Sequence, residues 1–324
     1  MKLTFVNVGY GEAILLECPD PTRENGIFVM LIDGGSARAD EFADCSSGRI
    51  PLAEYLRTEG LHHIDLMVST HIHEDHICGL LPVAKDLLPG ALWQTLCADV
   101  TDRMKPLDPA QGNNLSRENF MQALNDHREL CSLLAENGRP VHALKAGDAG
   151  TLCEGLTYQI LSPSAQKISK MEEDLCRLYQ EEGEAFFETL DALDRSLNNN
   201  SLILLLNYKG FRMLLPGDTN SLGYGDIAPE ALAADLFKVG HHGQLDGVDQ
   251  ALLDVVRPKA VVSCASSDRR YNSAHPDVMD LLRRNNAALY FSDCPNLPGL
   301  DLSPHHAVTF TVDDHGTLSA EYII

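Results

Sequence analysis

The sequence predicts one α/β domain in which helices cover two packed β-sheets. Short β-type runs separated by turns open and close the chain, whereas its middle has helical periodicity. The 324 residues are 44% hydrophobic, which is enough to bury a large core. Neither a repeat nor a convincing linker interrupts this order, so we predict a single domain over residues 1–324.

The predicted strands are short apolar runs bounded by turn residues. They cover residues 3–8, 13–17, 27–32, 65–69, 141–144, 157–161, 201–207, 211–215, 236–239, 260–263, 287–291, 307–312 and 318–323. The third strand ends at Asp33-Gly34-Gly35, a turn that needs a flexible backbone. Tyr208-Lys209-Gly210 joins the two strands on either side of it.

Helical spacing of apolar residues predicts helices over residues 51–57, 117–137, 248–256 and 276–284. A further acidic stretch, at about 164–197, has apolar residues every three or four positions on both sides of Gly183. We interpret it as a helical insertion, either one kinked helix or two consecutive helices. We expect it beside the active-site edge, with its apolar stripe buried against the sandwich or against a second copy in a homo-oligomer.

The charge balance restricts the classes of partner that the chain can bind. Its 47 acidic and 25 basic side chains give a net charge of −22, and no stretch clusters Lys and Arg. Such a surface repels phosphate backbones, so we expect no extended nucleic acid as a partner. No apolar run reaches the ~18–20 residues that cross a bilayer, so we expect no membrane partner.

Cysteine usage and the first residues bear on location. The nine cysteines are scattered without a CxxC pair, which is typical of a reduced protein. Polar residues and glycines from Asn7 onward interrupt the apolar start, so we expect no secretory leader. We therefore predict a cytoplasmic location.

The strongest functional pattern is His71-Ile72-His73-Glu74-Asp75-His76, directly after a hydrophobic strand. Imidazole and carboxylate are ligands that zinc prefers. A strand that ends in a loop can point His71 and His73 toward one ion, and a helix beginning near Asp75 would present Asp75 and His76 to a second. The run therefore predicts a site for two divalent ions, zinc or manganese.

Further polar residues follow other predicted strands. Asp218 ends a strand at a Gly-Asp turn, and His241 and His242 end the next one. Adjacent residues on a strand face opposite ways, so we expect only one of these two histidines to be a ligand. We assign His241 to the metal and His242 to proton donation or substrate, and the reverse assignment stays open.

The six-residue run matches the HxHxDH pattern of the metallo-β-lactamase superfamily, and the chain resembles one branch of it over most of its length. Residues 8–13 and 31–35 resemble the "DVGQGDA … LIDGG" opening of the branch that includes the hydrolase domain of the bacterial competence DNA-uptake protein. Asn7, Tyr10 and Glu12 stand where that branch has Asp, Gln and Asp.

Four more elements of the branch follow in the same order. They are "NNxSL" at 198–202, "LLxGD" at 214–218, "KxxHHGS" from 238 with Gln244 in place of Ser, and "NxxxHP" at 272–276. The resemblance implies an αββα sandwich of two mixed β-sheets flanked by helices, with the site at one edge. It also implies that Asp218 bridges the two metals.

The remaining site residues are assigned within this frame. Asp75, His242 and His275 are predicted to be catalytic, and Asn199, Ser201 and His275 to contact substrate, although His275 and the Asn run are equally readable as loop residues. Carboxylates often orient ligating imidazoles, and Asp33 and Asp65 are candidates for that role. The chain has no recognisable further histidine motif, so the first metal would be held by His71, His73 and Asp218, with water or substrate. Other histidines are expected at the surface: His62, His63, His127, His305 and His306.

These residues predict a binuclear metal-dependent hydrolase. A water bridging the two ions, with its pKa lowered toward neutral, would be the nucleophile. The branch resemblance favours a phosphodiester, and the charge favours a small one. Hydrolysis of a thioester, lactone or amide is the alternative, since the same nucleophile attacks acyl carbon. A redox di-iron or non-catalytic metal-binding protein is a third reading, but redox relatives carry an acidic residue where His73 stands.

Overall fold

The computed structural model describes all 324 residues. Its strands are β1 (Lys2–Val6), β2 (Ile14–Pro19), β3 (Ile27–Ile32), β4 (Leu66–Val68), β5 (Leu92–Gln94), β6 (Val141–Ala143), β7 (Ala149–Cys153), β8 (Leu156–Ser162), β9 (Ile203–Tyr208), β10 (Phe211–Leu215), β11 (Leu236–Lys238), β12 (Ala260–Ser263), β13 (Ala288–Phe291), β14 (Ala307–Val312) and β15 (Leu318–Ile323). Its α-helices are α1 (Leu52–Thr58), α2 (Glu74–Ile77), α3 (Leu80–Asp86), α4 (Ala98–Thr101), α5 (Leu115–Glu136), α6 (Ala165–Leu178), α7 (Gly183–Leu197), α8 (Pro229–Leu232), α9 (Gln250–Val256) and α10 (Pro276–Arg284).

The strands form two mixed sheets. The first has the order β15-β14-β1-β2-β3-β4-β5-β6, and the second has the order β13-β12-β11-β10-β9-β8-β7. Strands β3 to β6 run parallel in the first sheet, as do β10 to β13 in the second, and the other pairs are antiparallel. The predicted fold class is confirmed.

Alternation along the strands creates the layers. In β3, Met30 and Ile32 belong to the core between the sheets, whereas Val29 and Leu31 belong to a second core that includes residues of α1, α3 and α5 to α7. A third core joins the second sheet to α9 and α10. Both faces of each sheet are therefore covered by apolar contacts, which gives the four layers of an αββα sandwich.

The stretch at 164–197 forms two helices. Ser164 caps α6 by accepting a hydrogen bond from the amide of Lys167 (3.3 Å), and α7 begins at Gly183, whose φ of +61° favours glycine. Apolar residues of both helices lie in the same core as α5. The stripe is thus buried against the sandwich, and this burial needs no second copy.

Several short elements could not be predicted from the sequence, and two histidines that were expected at the surface are buried. Strands β5 and β7 and the helices α3, α4 and α8 were not predicted, because their length leaves little periodicity to read. His127 is buried in α5 and His305 is buried beside Tyr322, so the prediction that both lie at the surface is wrong. Helix α5 is packed on its inner face, and His127 points into that packing.

No helix combines the length and the apolar character needed to span a bilayer. The predicted cytoplasmic location stays a prediction.

Candidate metal centre

The candidate centre lies where parallel strands of both sheets end. Asp33 follows β3, His71 comes shortly after β4, and Asp218 comes shortly after β10. The carboxyl ends of neighbouring parallel strands meet at one edge, which is where open α/β sheets place their ligands. This edge brings together six histidine and aspartate side chains: His71, His73, Asp75, His76, Asp218 and His242.

His76 is held by one carboxylate and faces two others. Its Nδ1 lies 2.7 Å from Asp33 Oδ2, while its Nε2 lies 3.2 Å from Asp218 Oδ2 and 3.7 Å from Asp75 Oδ2. A carboxylate only accepts, so the proton of the neutral ring belongs on Nδ1. The buried Nε2, which has no hydrogen-bond partner, then aims its lone pair at two anionic oxygens.

His242 repeats this arrangement from the second sheet. Its Nδ1 lies 2.9 Å from the backbone oxygen of Cys264, and its Nε2 lies 2.9 Å from Asp218 Oδ2 and 3.0 Å from Asp75 Oδ2. The carbonyl again places the ring proton on Nδ1. Four ligand atoms, one each from Asp75, His76, Asp218 and His242, thus lie within 4.8 Å of one another. They are all acceptors, and a cation between them satisfies all four.

The pKa values of the clustered side chains also indicate that the site needs positive charge. Burial lowers the pKa of His242, but Asp218 and Asp75 outweigh burial and raise that pKa to about 9. Burial also raises the pKa of Asp75, yet His76 and His242 outweigh it and hold the pKa at about 2. Without a metal, the cluster therefore binds extra protons, and a divalent ion would displace them.

His71 and His73 face each other in the same way. Thr70 Oγ1 donates to Asp33 (2.6 Å) and so accepts from His71 Nδ1 (3.1 Å), while His73 Nε2 donates to Asp194 Oδ1 (3.2 Å). The two remaining nitrogens, His71 Nε2 and His73 Nδ1, lie 3.0 Å apart with lone pairs toward each other. Their donor chemistry fits a second cation.

Asp218 is fixed by a buried lysine that the sequence analysis quoted without assigning a role. Lys238 Nζ lies 3.2 Å from Asp218 Oδ1, donates to the backbone oxygen of Gly217 (2.8 Å) and forms an ion pair with buried Glu12. Asp218 Oδ1 is therefore occupied, and Oδ2 is the oxygen that both histidines share. A lysine inside the apolar β11 is a sequence signal, since lysine is rarely buried without a partner.

His241 does not join the donor group. Its Nδ1 lies 2.8 Å from Asp246 Oδ1, and its Nε2 accepts from Asn198 Nδ2 (3.2 Å), so both nitrogens are used. Only one of the two histidines lies among the possible ligand atoms, as expected, but it is His242 and not His241. Strand alternation does not explain this placement, because both residues lie in a short turn with positive φ, 47° for His241 and 52° for His242.

The predicted substrate contacts lie outside the cleft that leads to the cluster. Asn199 Oδ1 accepts from the amide of Asn220 (3.2 Å), and Ser201 is fully buried. His275 Nδ1 accepts from the amide of Asp277 (3.3 Å) and so caps α10. None of Asn199, Ser201 and His275 lines the cleft, and these positions give no support to the substrate and catalytic roles that we assigned to them.

The two carboxylates expected to orient ligands differ in outcome. Asp33 contacts His76 as described, which is the contact expected of a carboxylate that orients an imidazole. Asp65 accepts from the amide of Val29 (2.8 Å) and pairs with Arg23 at the opposite end of β4, so its predicted role is wrong.

The cleft has a volume of about 390 Å³ and opens onto the cluster. Helix α7 reaches its wall through Asp194, as expected of the inserted segment. The only arginine or lysine side chains in the lining are Arg38 and Arg270, which pair with Asp40 and Glu41. The other lining residues are Tyr10, His73, Glu74, Asp75, Leu115, Ser116, Asn119, Phe120, Asn198, Asp218, His241, Gln244 and Tyr271.

Comparisons with known proteins agree with the motifs. No family model matches the chain. It is 22% identical over 301 residues to ComE operon protein 3 of Bacillus subtilis, and the matched region covers 90% of this chain and 32% of that protein. It is also 22% identical over 284 residues to Recombination protein 2 of Haemophilus influenzae, which covers 88% of this chain and 26% of that protein.

The chain thus spans about a third or less of the length of these relatives. A solved metallo-β-lactamase from Cronobacter sakazakii overlaps 87% of this chain and 88% of its own, with 13% identity and a TM-score of 0.40. The fold assignment depends on the strand order of the two sheets and on the motifs. The chain is similar to the competence-protein branch of the metallo-β-lactamase superfamily, as the motifs predicted.

Proposed function

We propose that this chain is a metal-dependent hydrolase that uses two divalent ions, zinc or manganese, and cleaves small phosphodiesters. One observation carries the metal assignment: four buried or half-buried imidazoles each aim one ring nitrogen at another imidazole or at two carboxylates. Neutral histidine and aspartate are the ligand types that such ions take in hydrolases.

The residues divide into two sets. His71 and His73 would hold one ion, and Asp75, His76, Asp218 and His242 would hold the other. When bound, two such ions lower the pKa of a water and neutralise charge that develops on the substrate. The chain itself supplies orientation, because Asp33, the carbonyl of Cys264 and Lys238 each hold a ligand by the atom that faces away from the ions.

The phosphodiester assignment is supported by the resemblance to the competence branch. The net negative charge of the chain supports a small substrate. Each phosphate of a long nucleic acid needs a cationic partner. Within the cleft, Arg38 and Arg270 already pair with acidic side chains. Ions in the site can anchor one phosphate group, whereas its neighbours along a DNA strand would meet a chain of net charge −22.

A substrate panel tests the proposal. Metal-analysed protein should cleave bis-p-nitrophenyl phosphate or a dinucleotide faster than plasmid or single-stranded DNA, at low and at moderate salt. Inactivity on every phosphodiester, together with cleavage of a thioester or lactone, would transfer the assignment to acyl substrates. Colour and bound iron in the purified protein would instead support a redox protein.

A further inference from the structure

One wall of the cleft is aromatic and contains none of the metal ligands. Tyr10 is 8% exposed, and its ring centroid lies 4.5 Å from that of His242 and 5.1 Å from that of Tyr271. Tyr271, at the outer end, is 57% exposed. Tyr10 thus stands between a proposed metal ligand and the solvent-facing rim of the cleft.

The hydroxyl of Tyr10 is held from one side only. Gln244 Nε2 donates to Tyr10 Oη over 3.1 Å, and no side chain or carbonyl of the protein accepts the hydroxyl proton. A phenol can donate one hydrogen bond and accept others, so the hydroxyl proton of Tyr10 is still available for a donor bond. A buried donor in the lining of a cleft, with its oxygen already engaged, is arranged to donate to what enters the cleft.

The two contacting residues also depart together from the branch pattern. Tyr10 stands where the branch has Gln, and Gln244 stands where it has Ser. They are 234 positions apart in the chain and bonded in the structure. Neither residue belongs to the ligand set that the motifs describe.

We propose that the Tyr10 hydroxyl, oriented by Gln244, donates a hydrogen bond to a non-bridging phosphoryl oxygen of the substrate. This inference builds on the proposed hydrolase function and adds a substrate-contacting residue to it. Negative charge on that oxygen increases as the displacement proceeds, so a fixed donor stabilises the transition state more than the ground state. Tyr10 acts on the substrate, and Gln244 is a positioning residue.

Tyr10→Phe is the direct test, because it keeps the stacked ring and removes only the hydroxyl. We expect kcat on bis-p-nitrophenyl phosphate to fall by about 10²-fold, as for loss of one such donor. Metal content and melting temperature should not change. Tyr179→Phe is the matched control: it removes a hydroxyl that has no hydrogen-bond partner and does not line the cleft, and it should stay within about twofold of the parent protein.

Gln244→Ala separates orientation from donation. It should lower kcat less than Tyr10→Phe does, and the double variant should be no slower than Tyr10→Phe alone, because both changes act through one hydroxyl. Additive losses would show that Gln244 acts separately, which contradicts the positioning role.

Binding of inorganic phosphate to the metal-loaded protein gives a readout that does not need turnover. Tyr10→Phe should weaken it several-fold, and Tyr179→Phe should not. If the parent protein cleaves no phosphodiester but this difference is found, the proposed function is wrong and the Tyr10 donor remains. Unchanged phosphate binding and unchanged kcat in Tyr10→Phe would overturn the inference, as would loss of bound metal in that variant.

Discussion

Asp194 connects the inserted helical segment to the metal centre, and replacing it with Asn measures that connection. Its Oδ1 and its backbone oxygen each lie 3.2 Å from His73 Nε2. Both acceptors fix the ring proton on Nε2 and leave Nδ1 toward His71. Asn removes the charge and one acceptor while keeping the size of the side chain.

Loss of such an outer partner costs about 10–100-fold in metal affinity, or roughly 1.4–2.8 kcal/mol. The backbone oxygen stays in place, so we expect the lower part of this range for Asp194→Asn. Competition of metal-free protein with a chromophoric chelator should resolve two binding steps in the parent protein. In Asp194→Asn one step should weaken and the other should remain.

Asp191→Asn is the matched control. Asp191 lies one turn earlier on α7 and pairs with Arg117 over 2.7 Å, without contact to His73. It should bind both ions with the affinity of the parent protein. Equal affinities in both variants would refute the view that α7 supports a metal ligand, and so would equal losses in both, since these would reflect a general disturbance of the helix.

Three further predictions concern the bridge, acid stability and backbone packing. Asp218→Ala removes the oxygen that His76 and His242 share, so metal analysis should find at least one ion lost and activity abolished; a fully active variant would contradict the bridging role. Burial lowers the pKa of His127 from 6.5 to about 4, so the unfolded chain binds a proton that the folded chain does not, and on the order of 3 kcal/mol of stability is lost as pH falls from 6.5 to 4. Urea unfolding of His127→Leu should lack this dependence, and an unaltered slope would count against it. A Cβ at position 79 would overlap the backbone oxygen of residue 34, so Gly79→Ala should destabilise by about 1–3 kcal/mol in thermal unfolding, whereas Gly225→Ala, with its nearest neighbour at 3.5 Å, should not.

The contiguous ligands could be predicted from the sequence because local structure determines where they point. His71, His73, Asp75 and His76 span one strand end and one short helix, so strand and helix periodicity nearly fixes their directions. Two packed sheets covered by helices could also be predicted, from the order of strands and helices along the chain, whereas the order of strands within each sheet could not. His241 and His242 show the limit of this reasoning. Their roles depend on a left-handed backbone conformation at two consecutive residues, which a hydrophobic pattern does not predict.

Apart from Asp33, the residues that hold the ligands could not be assigned from the sequence, because contacts within the site join positions that are far apart in the chain. His73 and Asp194 are 121 positions apart, and His242 and Asp75 are 167 positions apart. Contacts between such distant positions form only when the whole sandwich packs, and local sequence patterns carry no information about that packing.

One of these holders nevertheless left a signal in the sequence. Helix α7 buries Leu190, Leu193 and Leu197, and Asp194 lies four residues after the first of these and three before the last. It therefore borders the buried face of an amphipathic helix, with its side chain 30% exposed, and a partly buried carboxylate is stabilised by a hydrogen-bond donor. Here the donor is the ring of His73, a proposed metal ligand. The inserted segment thus contacts the candidate metal centre, and its removal should weaken one proposed metal site as well as open the cleft.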